Sequence, residues 1–404
     1  MRIKLSDHFT LKRLLKFVFP SIIMMIIISI YGVIDGFFVS NYVGKSAFSS
    51  LNLVMPFIMI LGGMGFMIGT GGSALVSKTL GQKENEKANK IFSMMIVFTT
   101  ILGLILSIIG IIFIRPVSYL LGASDEMIDN CVLYGRIVTS FTALFMLQNV
   151  FQSFLATAEK PKIGLIVTIA AGTTNAVLDY LFVAVFNFGL AGAAVATGIG
   201  QVVGGLIPLI YFILPNDSLL KLVKTKLSIK ELLAACANGS SELMSNVSSS
   251  IVGMVYNLQL MKYIGEDGVA TYGVLMYVQF VFVAIFIGYS IGTAPIVGYN
   301  YGATNYDELK NVRKKSIAIM FTTGITLSII AQLLAGTLAK IFVGYDQNLY
   351  VLTVHAFRIF SFAFILTGFN IFSSSFFTAL NNGAISALIA FLRTLVFQLG
   401  SVLM

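Results

Sequence analysis

Three acidic residues of this sequence lie inside apolar stretches, where an ionisable side chain is costly and needs a reason. Asp35 occurs within a stretch long enough to cross a lipid bilayer, and Asp179 and Glu242 occur in two further stretches. Carboxylates in such positions usually face the interior of a helix bundle, where they hold a proton, pair with another charge or coordinate a cation. The three acids are therefore the first candidates for functional residues.

Side chains with neutral oxygens accompany two of these acids at helical spacing. Tyr31 precedes Asp35 by one turn, and Asn175 precedes Asp179 by the same interval, so each pair shares one face of a helix. Thr197 adds a hydroxyl from the next apolar stretch. Together these residues predict a cluster of two carboxylates and several neutral oxygens that can hold a proton or a hard cation such as sodium.

A purely structural explanation remains open for part of this set. Asn175 and Thr197 could each make a simple hydrogen bond to a neighbouring helix, which is common in membranes. The same explanation suits the aspartates less well, because an ionised group is far more costly to bury than a hydroxyl. Glu242 ends a polar run at the start of its stretch, so it could lie near the end of a helix or reach the interior.

The composition places these acids in a polytopic, all-α membrane protein. Of 404 residues, 57% are hydrophobic and 11% are charged, whereas about a quarter of residues are charged in soluble domains. Apolar runs of bilayer length predict spans at 15–40, 50–77, 91–114, 130–157, 163–186, 190–214, 233–261, 270–298, 316–343 and 350–380, with a further span beginning near 384.

Basic residues are distributed unequally between the two sets of alternating loops. Most loop lysines and arginines fall on the side of the N-terminus, and the opposite set contains only Lys45, Arg115, Lys262 and Lys340. This positive-inside bias predicts a cytoplasmic N-terminus in a plasma (inner) membrane protein. The net charge of +9 thus reflects membrane orientation, and we expect no nucleic-acid partner.

The sequence contains an internal repeat. Segment 43–90 aligns without a gap with segment 264–311, so that Gly81, for example, corresponds to Gly302. Two six-span copies that both begin on the same side predict two parallel repeats. We therefore expect an N-lobe at 1–214, a cytoplasmic linker at 215–231 and a C-lobe at 232–404.

The repeat leads to two further expectations. At the same offset Asp35 corresponds to Tyr256 and Asp179 to Gly400, so the second half has no acid at either position and ion binding should reside in the N-lobe. Two complete copies require twelve spans, whereas about eleven are present, so we expect the chain to stop within the eleventh span.

Several kinds of site are absent from the sequence. The histidines and cysteines, His8, His355, Cys131 and Cys236, are too few and too widely separated for a metal site. Glycine-rich stretches lack the GK[ST] ending of a phosphate-binding loop. We expect no cofactor, no nucleotide-driven pump and no assigned metal, apart from sodium at Asp35, Asn175, Asp179 and Thr197.

The combination of these motifs resembles the multidrug and toxic compound extrusion (MATE) family, in particular its bacterial branches. The resemblance rests on the two six-span halves, Tyr31 and Asp35 in span one, Asn175-x-x-x-Asp179 in span five, AGAAVATGIGQ with Thr197 in span six, and Glu242 in span seven. It implies a monomeric antiporter, coupled to protons or sodium, that exports amphipathic and often cationic organic compounds by alternating access between two lobes.

The resemblance also implies roles for individual residues. It assigns Tyr31, Asp35, Asn175, Asp179 and Thr197 to a cation-binding cluster, and it assigns Glu242 to coupling or substrate binding. Some branches carry a further acid in span ten, and this sequence has none there. A sodium site of that type in the C-lobe is therefore not expected.

Two other functions are compatible with part of the pattern. A flippase for lipid-linked sugars would keep the fold, but its cavity should present cations to pyrophosphate, whereas the charges predicted near the middle of the spans are acidic. An intramembrane aspartyl protease could use Asp35 and Asp179 as a dyad, but no GxGD motif accompanies either acid. We therefore predict a transporter and not an enzyme.

Overall fold

The computed structural model describes residues 3–344 and 346–403, without the side chains of Val33, Lys45 and Glu266. These residues form helices joined by short connections, and no strand occurs among them. Helices are expected here because a membrane offers no water to satisfy backbone N–H and C=O groups. The all-α architecture predicted from the sequence is confirmed.

The first half of the chain contains α1 (Leu11–Phe38), α2 (Lys45–Gly81), α3 (Asn85–Leu120), α4 (Ile128–Ser140), α5 (Thr142–Thr157), α6 (Pro161–Asp179) and α7 (Gly189–Ile213). The second half contains α8 (Ile229–Tyr263), α9 (Glu266–Gly302), α10 (Tyr306–Val343), α11 (Gln347–Ser361), α12 (Phe364–Ala379), α13 (Gly383–Phe391) and α14 (Gly400–Leu403). Three stretches have wider, π-helical turns: Val39–Val43, Tyr180–Val185 and Leu392–Leu399.

Up to ten of the predicted spans meet the length and apolarity expected of membrane helices. Among the described residues eight single segments do so, and the total is ten when each of two bent pairs, α4 with α5 and α11 with α12, is counted as one span. The two bends, of 54° and 49°, occupy equivalent places in the two repeats. The span predicted at 233–261 is the 35-residue helix α8, whose many serines and asparagines leave it less apolar than the others.

The two halves pack against each other with the symmetry of the repeat. Helix α1 packs on α9, and α8 packs on α2, which is the equivalent pair when the halves are exchanged. A third contact between the halves, α2 against α9, is especially close at Gly81 and Gly302. A Cβ on Gly81 would meet the carbonyl oxygen of Tyr299, and a Cβ on Gly302 would meet that of Lys78. These reciprocal contacts close one end of the bundle.

The helices are less closely packed at the other end of α2 and α9. Gly44 and Gly265, which are equivalent in the repeat, begin α2 and α9 with φ of 113° and 82°. In the described part of the chain no atom lies within 4 Å of a Cβ built on either glycine. The halves meet on the face where α1 begins, and the cavity between them lies on the other side of this contact, where residues 55–73 of α2 and 279–294 of α9 line it.

Residues 3–10 form a segment that we call the N-terminal strap, because it binds both halves on the closed face. The Leu5 N–H donates to Glu159 Oε1 at 2.8 Å in the first half. The Phe9 N–H donates to Glu308 Oε1 at 2.9 Å in the second half, and His8 Nδ1 lies 2.7 Å from Glu308 Oε2. Leu5 and Phe9 are fully buried. The N-terminal strap therefore adds to the contact between the two halves.

The connection between the halves, residues 214–228, is not helical. It lies along the start of α3, where the Lys221 N–H donates to Asn89 Oδ1 and the Val223 N–H donates to Ser93 Oγ, both at 2.9 Å. Leu220, within this connection, is fully buried. The connection is therefore docked on the first half instead of hanging freely between the two.

Replacing Gly81 or Gly302 by Ala should weaken the contact between the halves, because the added methyl meets a carbonyl oxygen of the facing helix. Such overpacking typically costs about 1–3 kcal/mol. We expect a lower midpoint of thermal unfolding in detergent. Gly273→Ala on α9 is the control, since no described atom lies within 4 Å of its Cβ. Equal midpoints for Gly302→Ala and Gly273→Ala would contradict the tight crossing.

Glu308→Ala should release the N-terminal strap, because the Phe9 N–H and the Asn311 side-chain amide lose their carboxylate acceptor. Buried donors left unpaired cost about 1–3 kcal/mol. We expect faster tryptic cleavage near Lys12. Glu84→Ala is the control, because its pair with Lys87 is exposed and should contribute little. Unchanged cleavage in Glu308→Ala would show that Glu308 does not hold the strap in place.

Candidate functional site

Asp35 and Asp179 lie together between α1, α6 and α7, beside the central cavity. Asp35 is 6% exposed and accepts a hydrogen bond from Thr197 Oγ1 at 3.3 Å. Asp179 is fully buried as the last residue of α6, and its side chain interacts with that of Asp35. Within the described chain neither carboxylate oxygen of Asp179 has a hydrogen-bond partner. The two predicted acids thus form one site.

Asn175 extends this set of unpaired polar atoms. It lies beside Asp179 one turn earlier on α6 and is 4% exposed. In the described structure both its amide oxygen and its amide nitrogen lack hydrogen-bond partners. Buried polar atoms are normally satisfied, and each one left unpaired destabilises the fold. A proton or a small cation bound between these oxygens would remove that cost.

Two glycines allow the neighbouring helices to approach α6 at this point. A Cβ on Gly200 of α7 would lie 3.1 Å from the Cβ of Asn175. A Cβ on Gly172 of α6 would lie 3.0 Å from Cδ1 of Tyr31 on α1. Small residues at these crossings let the backbones come close, as is common between membrane helices. The local sequence therefore positions Tyr31 and Asn175 within one cluster.

A π-helical stretch follows each aspartate. Near the end of α1, the N–H of Val39 contacts the carbonyl oxygens of both Asp35 and Gly36. The wide turns Tyr180–Val185 begin directly after Asp179. Such turns loosen the regular hydrogen-bond ladder and occur frequently at functional sites. The backbone around both acids is therefore less rigidly bonded than a regular helix.

The structure adds residues that the sequence did not single out. Tyr134 of α4 is fully buried beside Thr197, and its hydroxyl has no hydrogen-bond partner in the described chain. Gln148 of α5 lies beside Tyr31. Gln201 of α7, which the helical spacing already places on the same stripe as Thr197, has a buried oxygen without a partner in the described chain. A polar residue within an apolar span was the available signal, but many polar residues share it.

The cluster borders a cavity of about 830 Å³ between the two halves. This volume suits a drug-sized molecule. Flexible and aromatic apolar side chains from both halves dominate the lining, among them Met55, Met59, Phe66, Phe145, Phe280 and Phe364. Asp35, Asn175, Thr197 and Tyr31 also line the cavity, whereas Asp179 lies behind them and is fully buried. Asp35 can therefore contact a molecule bound in the cavity, whereas Asp179 cannot.

The third acid, Glu242, reaches the same cavity from α8. Arg393, on the π-helical stretch after α13, also lines it and was not identified from the sequence. Among the described lining residues only Asp35, Glu242 and Arg393 carry charged side chains. No group of three histidine, cysteine, aspartate or glutamate residues in the described chain could hold a metal ion.

The aromatic residue that replaces Asp35 in the second repeat also faces the cavity. Tyr256 lines it from α8 and stacks on Tyr272, with ring centroids 5.1 Å apart and ring planes 9° apart. The second half therefore presents an aromatic surface where the first half presents a carboxylate. Aromatic faces attract organic cations.

Comparison with known proteins assigns the chain to a family. The MatE family model matches residues 20–181 and again residues 243–401, which is one match in each half. The chain belongs to the MATE family. It is consequently a multi-pass membrane transporter and not an enzyme, so the protease alternative is rejected.

Two curated relatives of this MATE transporter come from staphylococci. It is 29% identical over 328 residues to the multidrug export protein MepA of Staphylococcus haemolyticus, covering 79% of this chain and 71% of the relative. It is 25% identical over 390 residues to MepA of Staphylococcus aureus, covering 95% of this chain and 85% of the relative.

Solved MATE structures share the fold. A MATE family multidrug resistance transporter in an outward-facing conformation superposes with a TM-score of 0.92 at 23% identity, covering 97% of this chain and 88% of the other. A MATE protein crystallised with MaL6 gives the same TM-score, identity and coverage. The predicted architecture of two parallel six-helix repeats is confirmed.

Asp179→Asn should stabilise the protein, because it removes a buried carboxylate that the described chain leaves unpaired. Leaving a charged group unpaired costs more than leaving an amide unpaired, so we expect a gain of at least about 1 kcal/mol. Thermal unfolding in sodium-free detergent measures it. Asp129→Asn is the control, since that residue is 85% exposed in its pair with Arg115. Loss of stability in Asp179→Asn would show that the carboxylate has a structural partner.

Proposed function

We propose that the protein is a cation-coupled antiporter that exports amphipathic, often cationic organic compounds by alternating access. The observation that carries this proposal is the buried pair of acids, Asp35 and Asp179, with unpaired oxygens beside a drug-sized cavity. The staphylococcal relatives are named multidrug export proteins, which supports the cargo. The cell membrane is the expected location, with the N-terminus in the cytoplasm.

The ion site consists of Asp35, Asp179, Asn175 and Thr197, with Tyr31 at its edge. The same oxygens suit two kinds of ion. A proton can be shared between two adjacent carboxyl groups, because two like charges at close distance are unfavourable. Sodium, like other hard cations, prefers carboxylate, amide and hydroxyl oxygens. Either ion would neutralise the carboxylates and satisfy the buried atoms.

Competition between the ion and the exported compound provides the coupling. Asp35 belongs both to the ion cluster and to the cavity lining, so a bound organic cation is attracted by the same negative charge as the ion. Binding of either one weakens binding of the other by an equal factor, since linkage between two sites is reciprocal. Exchange of ion for compound follows from this competition.

Rocking of the two halves would alternate the access to this site. In the state described above, the halves meet where Gly81 and Gly302 cross, and the cavity lies toward the opposite face. With a cytoplasmic N-terminus, this state is open to the outside. An ion entering from outside neutralises the acids, α1, α6 and α7 rearrange, and the compound leaves. Release of the ion into the cytoplasm resets the site.

The second half contributes substrate contacts in this mechanism. Glu242 attracts the cationic part of the compound, and the ring of Tyr256 can accept it by a cation–π contact. Methionine side chains adapt to varied apolar shapes, which suits a transporter with many substrates. A lipid-linked sugar would instead need several cations for its pyrophosphate, and Arg393 is the single basic residue in the described lining. The flippase alternative is therefore not favoured.

Asp35→Asn should abolish ion-driven transport, because the amide cannot release a proton or contribute charge to a sodium site. We expect uptake of a lipophilic cationic dye into proteoliposomes to fall at least about tenfold, which is the factor that a loss of 1.4 kcal/mol in binding produces. The measurement compares an imposed proton gradient with an imposed sodium gradient, and the gradient that drives wild-type uptake identifies the ion.

Asp129→Asn is the control for this experiment, because Asp129 is exposed and paired with Arg115 away from the cavity. It should transport like the wild-type protein. Full gradient-driven exchange in Asp35→Asn would contradict the proposed role of Asp35 in coupling. If neither gradient drives dye uptake by the wild-type protein, antiport itself is wrong.

A further inference from the structure

Arg393 is the one charged group of the described cavity lining that the proposed antiport does not use. Asp35 and Glu242 attract organic cations, whereas a guanidinium in the same cavity repels them. Arginine remains charged under all physiological conditions, so this repulsion cannot be relieved by loss of a proton. A positive charge that opposes the expected cargo calls for a function of its own.

The hydrogen bonding of Arg393 leaves most of its donors available. Its Nη2 donates to Ser245 Oγ of α8 at 3.3 Å, which is the guanidinium's single hydrogen bond in the described chain. A guanidinium has five N–H donors arranged in a planar fork. The bond to Ser245 therefore fixes the side chain against α8 and leaves the rest of the fork for a ligand in the cavity.

Glu242 lies close to this arginine without neutralising it by contact. It precedes Ser245 by one turn of α8, and the charges of Glu242 and Arg393 interact. No nitrogen–oxygen contact at ion-pair distance joins the two side chains in the described chain. Each charge is left without a directly bonded counter-ion, which is costly in a cavity with mainly apolar walls. One wall of the cavity thus presents a separated negative and positive centre.

The same half supplies a further polar group without a partner. Ser290 of α9 is 4% exposed and lines the cavity, and its hydroxyl makes no hydrogen bond in the described chain. Gln279, on the same face of α9, also lines the cavity, and its buried side-chain oxygen has no partner in the described chain. These atoms are prepared for a ligand that carries polar as well as apolar groups.

We propose that Glu242 and Arg393 form a two-point site for zwitterionic amphipathic compounds that carry a protonated amine and a carboxylate. This inference rests on the proposed export function and specifies its substrate class. The amine binds Glu242, and the carboxylate binds the free fork of Arg393, an arrangement that allows two parallel charge-assisted hydrogen bonds. Both charges of the wall and both charges of the ligand are then neutralised in one complex.

The surrounding side chains accommodate the rest of such a compound. Phe280, Phe364 and Phe397 line the cavity from the second half and provide an apolar surface for the uncharged body. A compound with only a positive charge satisfies Glu242 and leaves Arg393 unpaired. Preference for the zwitterion therefore comes from the arginine, which repels simple cations and stabilises only a ligand that also carries a negative charge.

A matched pair of probes tests the site: a xanthene dye with an amine and a free carboxylate, and the methyl ester of the same dye. Binding to the reconstituted full chain is measured by fluorescence polarisation, and uptake is measured under an imposed ion gradient. Arg393→Gln should weaken binding of the zwitterion by about tenfold or more, as expected for loss of a hydrogen bond between charged groups. It should leave the ester unchanged or bound more tightly.

Three further variants make the result specific. Arg393→Lys keeps the charge and loses the fork, so it should give an intermediate loss for the zwitterion. Glu242→Gln should weaken both dyes. Arg358→Gln is the matched control, because Arg358 is an exposed arginine of the same half outside the cavity lining, and it should bind both dyes like the wild-type protein.

Two results would overturn the inference. One is an equal effect of Arg393→Gln on the zwitterion and its ester. The other is loss of both dyes in Arg393→Gln and also in Arg393→Lys, which would make the arginine structural. Failure of the antiport has a different signature: wild-type protein binds the zwitterion through Arg393, but neither gradient drives uptake of either dye.

Discussion

The free-energy cost of an unpaired charge within a membrane is the constraint on which the rest of this structure depends. Asp179 is fully buried with both carboxylate oxygens unpaired in the described chain, and Asp35 lies beside it with one bond from Thr197. Such a pair can persist only when a ligand or a proton compensates it during the working cycle. The close crossings at Gly172 and Gly200, which hold the cluster together, serve this one requirement.

The repeat supplies a symmetric scaffold for chemistry that is not symmetric. Backbone contacts at Gly81 and Gly302 are reciprocal, and the broken spans occupy equivalent places in both halves. Side chains facing the cavity differ, since Asp35 in the first half is replaced by Tyr256 in the second. The proposed rocking motion needs matching interfaces, and the proposed coupling places the ion site in one half with substrate contacts in both. A symmetric backbone with an asymmetric lining is compatible with both.

Much of the fold followed from the sequence because membrane helices are encoded locally. Bilayer-length apolar runs predicted the spans, and the aligned glycines predicted the repeat, since each depends on residues close together in the chain or at one fixed offset. The candidate site was partly predictable for the same reason: one-turn spacing placed Asn175 and Asp179 on one face of a helix. Tyr134 and Arg393 were missed, because a single polar residue in an apolar span does not indicate which neighbour it meets.

By itself, the sequence determined that this chain is a helical membrane protein with two repeats and the motifs of the MATE family, with Asp35 and Asp179 in the first half and Glu242 in the second. These properties depend on the composition, on the helical period and on the constant spacing between the two repeats. Only the tertiary structure decided that Asp35 and Asp179 share one site. It also decided that Glu242 and Arg393 line the same cavity, close to each other but without an ion pair between them. Such distances between helices arise from how whole surfaces pack, so no local pattern along the chain specifies them.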